Sequence, residues 1–263
     1  MASFGVAATA PFGADVLERL ATMHDVAFVL TRPDAARGRG RKVEPPPAKA
    51  VAERLGIPVL QPARLDASVE LPAEKIVAVA YGLLVPPSLL DRHLWLNVHP
   101  SLLPRWRGAA PVERAIMAGD EQTGVSIIRL VEALDAGPIG AQETFPIGPE
   151  DDAGAVYDRA AEATGRLLET LPGSFVPQAD DGATYAEKIT PADRELDLAQ
   201  PAEELVRRVR ALSPHIGARA ELNGRQLTVW RARVADDGSF EPLEVQPEGG
   251  RRMAYAAWLR GLR

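Results

Sequence analysis

The chain has 263 residues, no cysteine, four histidines and a formal net charge of −6, room for one large domain or for one large and one small. The missing thiols exclude a disulfide framework and a thiolate metal site, and four histidines leave little for zinc. No apolar run approaches the roughly 20 residues that span a bilayer, and the first residues lack a charged segment before an apolar core, so a soluble, cytoplasmic chain with no metal and no membrane partner is expected.

The charge is uneven. From Pro201 onward there are eleven arginines against eight acids, so residues 1–200 are the acidic part. Within that part, Arg32, Arg37, Arg39, Arg41 and Lys42 form a basic island opposed only by Asp34. Two basic regions on an acidic chain are compatible with a polyanion held at two places, while a solvated surface is the plainer reading.

Residues 4–8 read as a short apolar strand, 14–21 as a helix with Val16, Leu17 and Leu20 on one face, and 26–30 as the next strand. This βαβ opening predicts a parallel sheet with right-handed crossovers. It lacks G-x-G-x-x-G, so dinucleotide binding is not supported. Residues 31–47 follow without periodicity, rich in Gly, Arg and Pro, as a long loop. Residues 48–55 form a helix closed by Gly56, and 57–60 a strand. Residues 75–84 are apolar almost throughout, as expected of a central parallel strand covered on both faces, with Gly82 allowing close backbone approach at its end.

A short helix opened by Pro86 and Pro87 leads to a strand over 95–99. Asn97 and His99 lie two apart and project from one face, while Leu96 and Val98 face the core. Pro100 ends the strand, and 101–104 form a stiff loop against which a flat ligand could lie. A polar pair at the carboxyl end of a strand is where open α/β sheets place ligands, although Asn97 as a turn cap and His99 as a packed core histidine would fit the same residues. Residues 111–118 are a helix with Pro at its first turn and Gly119 after its end. Residues 123–131 are a strand buried on both faces, leading into a turn that presents Asp135 beside Gly137.

Residues 151–171 form a helix capped by Asp151 or Asp152, and the polar, weakly periodic stretch to residue 198 reads as a linker. Residues 201–212 are a helix with Leu205, Val209 and Leu212 on one face. Asn223-Gly224 joins strands over 216–222 and 226–234 through a type I′ turn. The tail over 251–263 can form a short helix. The expected organisation is a large α/β domain over 1–171, a linker over 172–200 and a small basic domain over 201–263 with few strands.

Asn97-Val98-His99-Pro100-Ser101-Leu102-Leu103-Pro104, with Asp135 in Leu134-Asp135-Ala136-Gly137-Pro138, resembles the signature of formyltransferases that use 10-formyltetrahydrofolate. Within that group, 104–111 (Pro-Arg-Trp-Arg-Gly-Ala-Ala-Pro), 37–42 (Arg-Gly-Arg-Gly-Arg-Lys), 184–188 (Thr-Tyr-Ala-Glu-Lys) and 210–214 (Arg-Ala-Leu-Ser-Pro) are similar to the methionyl-tRNA formyltransferase family, and the likeness covers nearly the whole chain. It implies a Rossmann-like formyltransferase domain with a mostly parallel sheet, followed by a small, shortened OB-like β-rich domain. It implies a monomer whose co-substrate is 10-formyltetrahydrofolate and whose acceptor is initiator methionyl-tRNA, for translation initiation.

The resemblance assigns catalysis to Asn97, His99 and Asp135. Asn97 would donate to the oxygen on which negative charge collects. His99 would add a second donor if protonated, or accept the amine's proton if neutral. Asp135 would orient His99 and relay a proton to the departing folate nitrogen. The folate would lie against Leu83, Leu84, Val85, Ala133 and Leu134, with Ser101, Leu102, Leu103 and Pro104 lining the site. Arg37, Arg39, Arg41 and Lys42 would hold tRNA phosphates. Between Val234 and Leu243 the sequence offers only a turn region where the family has further strands, so a complete five-stranded barrel does not fit. Residues 7–11 also lack the family's Gly before Thr9. A folate-dependent enzyme acting on a small amine (an amino sugar nucleotide or glycinamide ribonucleotide) and a catalytically silent RNA-binding homologue are the alternatives.

Overall fold

The computed structural model describes residues 3–37, 42–179 and 181–262. In chain order the elements begin with β1 (Ser3–Ala8), α1 (Pro11–Met23), β2 (Asp25–Leu30), β3 (Ala35–Arg37), β4 (Lys42–Glu44), α2 (Pro47–Leu55), β5 (Val59–Leu60) and β6 (Lys75–Val79). Then come α3 (Pro87–Leu90), β7 (Leu94–His99), β8 (Arg107–Gly108), α4 (Pro111–Ala118), β9 (Gln122–Arg129), β10 (Ile139–Pro146) and α5 (Ala153–Leu167). The chain ends with β11 (Tyr185–Ala186), α6 (Ala202–Leu212), β12 (Ala218–Leu222), β13 (Arg225–Val234), β14 (Phe240–Pro247), β15 (Met253–Ala254) and α7 (Tyr255–Arg260). Two compact units emerge, one of Met1–Arg107, Gly124–Thr144 and Asp158–Thr184, the other of Gly108–Thr123, Phe145–Tyr157 and Tyr185–Arg263.

The first unit is built on a seven-stranded sheet of order β10-β9-β7-β6-β1-β2-β5. The run from β7 to β5 is parallel, and β9 is antiparallel to β7. The small residues of β1 let neighbouring side chains lie across it: a Cβ on Gly5 would run into the Phe28 ring. Ala7, Phe28, Leu30, Ile76, Ala78, Tyr81, Leu89 and Trp95 share one buried cluster, and burial of large apolar side chains such as Phe28, Leu30, Ile76 and Leu89 stabilises the unit by about 1.5–3 kcal/mol each.

Several expectations are corrected here. The 31–47 segment is not structureless, because Ala35–Arg37 and Lys42–Glu44 pair antiparallel. The strand expected over 75–84 stops at Val79, since Ala80 turns to a φ of 45°. Strand β10 has no counterpart in the sequence reading. It is an edge strand, and its residues are mostly exposed or half-buried, so its sequence carries little apolar alternation.

In the second unit β12, β13, β14 and β15 form a four-stranded antiparallel sheet in sequence order. Asn223 and Gly224 both have positive φ, 49° and 71°, as the type I′ turn requires. The expectation of few strands was too low. The turn after β13 is short, and β14 begins at Phe240, pairing with β13 from Val234↔Phe240 to Leu227↔Pro247. Leu205, Val209 and Leu212 of α6 lie fully inside with Leu227, Val229, Val245 and Trp258.

Polar pairs tie this unit together. The guanidinium of Arg114 grips Asp193 in a two-point pair, 2.6 and 3.1 Å, and the Thr190 N–H and hydroxyl each donate to the same carboxylate at 2.8 Å. The Arg114 hydrogen bonds hold the Asp193 carboxyl well below the usual carboxylate range. Tyr157 donates to Glu113 at 3.2 Å, and burial pushes the Glu113 carboxyl above its ordinary 4.5.

Candidate active site

Strand β7 lies between β6 and β9, with Asn97 paired to Ala78 on one side and to Ile128 on the other. Its alternate residues Leu96 and Val98 are buried, so Asn97 and His99 project together from the opposite face. The chain leaves β9 at Arg129 and returns through a tight loop: Arg129 N–H donates to the Pro138 carbonyl, and Leu130 N–H to that of Trp95. A Cβ at Gly137 would collide with the Arg129 carbonyl oxygen, which explains the glycine there. This loop brings Asp135 over β7.

The three polar side chains converge. The Asn97 amide donates to Asp135 Oδ1 at 3.2 Å, and His99 Nδ1 stands 3.6 Å from Asp135 Oδ2. His99 and Asp135 are only 4% and 8% exposed. Asp135 has a φ of 47°, a conformation that non-glycine residues hold only when their surroundings impose it.

The ring orientation of His99 follows from its other contact. Nε2 lies 2.8 Å from the Trp106 carbonyl oxygen, which can only accept, so Nε2 carries a proton. Nδ1 is therefore the nitrogen through which the ring exchanges a proton, and it is the one facing Asp135. The carbonyl is held in turn, since Trp106 has a φ of 63° and its N–H donates to Thr184 Oγ1 at 2.9 Å.

The loop after β7 is fixed by a serine as much as by its prolines. Ser126 Oγ donates to the Ser101 carbonyl at 2.6 Å and accepts from Leu103 N–H at 3.0 Å and Gln142 Nε2 at 2.8 Å. Ser101 and Leu103 are buried, Ser101 donating to the Arg105 carbonyl, whereas Leu102 and Pro104 are half-exposed. Leu84 is 85% exposed and Leu134 59%; Leu83 and Ala133 are exposed as well, and Val85 is half-buried against the core. Apolar surface left open on two loops can take the face of a flat ligand.

Of the basic island, Lys42 is exposed on β4 and Arg37 lies on β3, while Arg39 and Arg41 fall outside the described residues. Asp34, the acid within the island, is engaged elsewhere: the hydrogen bond from Gln61 at 2.8 Å, and those from Lys49 Nζ at 2.8 and 2.9 Å, keep its carboxyl low. Sequence reasoning missed Trp106 as the anchor of His99, and it missed Arg107, Gln178 and Thr184. The last two stand in the stretch read as linker: Thr184 opens the 184–188 motif but has no role read there, and Gln178, a lone polar side chain in an aperiodic segment, gives no periodicity to detect.

The family model described as formyl transferase matches residues 4–171, and that of the formyl transferase C-terminal domain matches residues 188–242. The chain is 40% identical over 284 residues to the methionyl-tRNA formyltransferase of Paracoccus denitrificans, covering 97% of this chain and 95% of that one. Among solved structures it is similar to a methionyl-tRNA formyltransferase from Clostridium thermocellum, with a TM-score of 0.64 and 15% identity over 94% of this chain and 99% of that one. It is also similar to HypX from Aquifex aeolicus in complex with tetrahydrofolic acid, with a TM-score of 0.67 and 16% identity over 98% of this chain and 46% of that one.

Proposed function

The chain belongs to the formyl transferase family, and on that premise we propose that it moves a formyl group from 10-formyltetrahydrofolate to the amino group of initiator methionyl-tRNA. The observation that carries this reading is the convergence of Asn97, His99 and Asp135 on one point of the sheet. The acceptor is supported by a relative 40% identical over nearly the full length of both chains, which bears the methionyl-tRNA name.

The reaction assigns each side chain a part. The amine's lone pair attacks the formyl carbon, and the carbonyl electrons collect on oxygen. One Asn97 N–H is held by Asp135 and the second donates to that oxygen as its charge grows. The nitrogen, now cationic, gives its proton to Nδ1 of neutral His99, and Asp135 stabilises the imidazolium that results. Collapse of the intermediate breaks the bond from the formyl carbon to the folate nitrogen. That nitrogen takes up the proton, so the site returns to its starting state. Nε2 stays with Trp106 throughout, and a single ring nitrogen serves both transfers.

The folate would rest against the open apolar surface of Leu83, Leu84 and Leu134, beside Val85 and Ala133. Leu102, Pro104 and the backbone of Ser101 and Leu103 would line its edge. Arg37, Arg39, Arg41 and Lys42 would hold tRNA phosphates through their positive charge. We retain domains over 1–171 and 201–263 joined by 172–200 in a monomeric cytoplasmic enzyme; the two separate family matches, to 4–171 and 188–242, support a division into two domains.

The test offers purified protein 10-formyltetrahydrofolate with charged initiator tRNA, with an amino sugar nucleotide or with glycinamide ribonucleotide. Formylation of the charged tRNA alone is expected. Formylation of a small amine in its place would move the chain to another acceptor class. Folate binding without any transfer would mark a silent homologue.

A further inference from the structure

We propose that Gln178, braced by Arg107, is a positioning residue that holds Asp135 against His99. Its Nε2 lies 2.7 Å from the carbonyl oxygen of Asp135 and 2.7 Å from that of Gly137. Its Oε1 lies 3.1 Å from Nε and 2.8 Å from Nη2 of Arg107. Chemistry alone fixes the orientation of this amide: a guanidinium can only donate and the two carbonyls can only accept, so the oxygen faces Arg107 and the nitrogen faces the loop.

Two features turn this contact from packing into positioning. Asp135 occupies a left-handed conformation, φ 47°, that its own backbone does not favour, and the side chain clamping its carbonyl on one side and that of Gly137 on the other keeps the turn closed. Arg107 is buried, 7% exposed, and its own N–H donates to the Thr184 carbonyl at 2.8 Å. It therefore holds the amide at a fixed height above the loop. The same segment carries Thr184, whose hydroxyl accepts from Trp106, the residue that anchors Nε2 of His99. Both ends of the His99–Asp135 pair thus lean on Gln178 and Thr184, which neither family match covers.

The inference rests on the catalytic reading of Asp135, and it is tested on the full chain with Gln178→Glu. This change keeps shape and gives Arg107 a carboxylate to pair with, but presents an acceptor to two carbonyl oxygens. The expected result is a fall in kcat of about 10- to 100-fold with KM for both substrates within about twofold, because a small displacement of a catalytic group is felt in the transition state and not in binding. In an Asp135→Asn background the same substitution is expected to have no further effect, the non-additivity of residues acting through one another. Losses that multiply in the double variant, or an unchanged kcat, overturn the inference. Should Gln178→Glu fail to fold, Gln178→Met removes the donor without adding charge and carries the same expectations. If the wild-type protein formylates no acceptor, the functional reading fails, and ring-nitrogen NMR of His99 still decides the positioning: altered His99 resonances in the variant support it, and unaltered ones refute it.

Discussion

The imidazole of His99 is anchored at Nε2 by the carbonyl of Trp106, 2.8 Å away, which leaves Nδ1 as the nitrogen turned toward Asp135. The ring therefore cannot exchange roles between its nitrogens without breaking this hydrogen bond. A histidine serving only as core packing has no need of a carboxylate beside its second nitrogen.

Replacing His99 with alanine is predicted to lower formylation by at least about 10²- to 10⁴-fold, the usual worth of a positioned acid or base. Affinity for methionyl-tRNA, measured by filter binding, should stay within about twofold. Loss of activity and binding together would mean that the imidazole supports the fold instead.

At position 135, glycine separates chemistry from conformation. Asp135→Gly removes the carboxylate but relieves the left-handed strain, while adding an unfolded-state entropy cost of roughly 1 kcal/mol. Thermal unfolding should remain close to wild type and turnover should be lost. A drop of several kcal/mol in stability would assign Asp135 to the scaffold.

Much of this architecture can be read from residue order. The alternation Leu96-Asn97-Val98-His99 announces a strand with a polar face, and Asn223-Gly224 announces its hairpin. What cannot be read is how Asp135 reaches β7, because the loop from Leu130 to Pro138 doubles back through contacts with Arg129 and Trp95 that no local pattern encodes. Gln178 was illegible for a related reason: it acts on backbone carbonyls more than 40 positions away in sequence, and a partner of that kind leaves no mark on its neighbours. Strand β14 was missed in part because Pro242 stands within it, a residue that argues against a strand everywhere but at bulges and edges.

The Arg114–Asp193 pair makes a pH-dependent contribution of known sign. The folded Asp193 carboxyl titrates below its ordinary 3.8, so its stabilisation is fully present above about pH 4 and is lost as the pH falls through the depressed value. Both side chains keep 20% of their surface exposed, and after solvent screening Asp193→Asn should cost roughly 1 kcal/mol at pH 7. Chemical denaturation at pH 7 and pH 3 should show the difference from wild type shrinking at the lower pH. A constant difference would contradict the ion-pair account.

Glu113 behaves in the opposite sense. Its folded carboxyl is raised above 4.5 by burial, so the native state loses stability as the pH climbs from 4.5 through the raised value. Glu113→Gln keeps an acceptor for Tyr157 and no longer buries a charge. It is predicted to raise the melting temperature at pH 8 and to leave it unchanged at pH 4. A lower melting temperature at pH 8 would show that the carboxylate is favourably held.

Neutralising Arg37, Arg39 and Arg41 together should flatten the salt dependence of tRNA binding, each lost phosphate contact reducing the log–log slope by about 0.7–0.9. An unaltered slope would remove this loop from the tRNA interface.

The most direct test follows the formyl carbon itself. Protein, charged initiator tRNA and 10-formyltetrahydrofolate labelled at that carbon are mixed, and the methionine released from the tRNA is weighed by mass spectrometry, for wild type and for Asn97→Ala. Labelled formyl-methionine should accumulate with the wild type and fall by about 10²- to 10³-fold with the variant. Equal accumulation in both, or none with the wild type, would contradict the assignment of formyl transfer to the Asn97, His99 and Asp135 site.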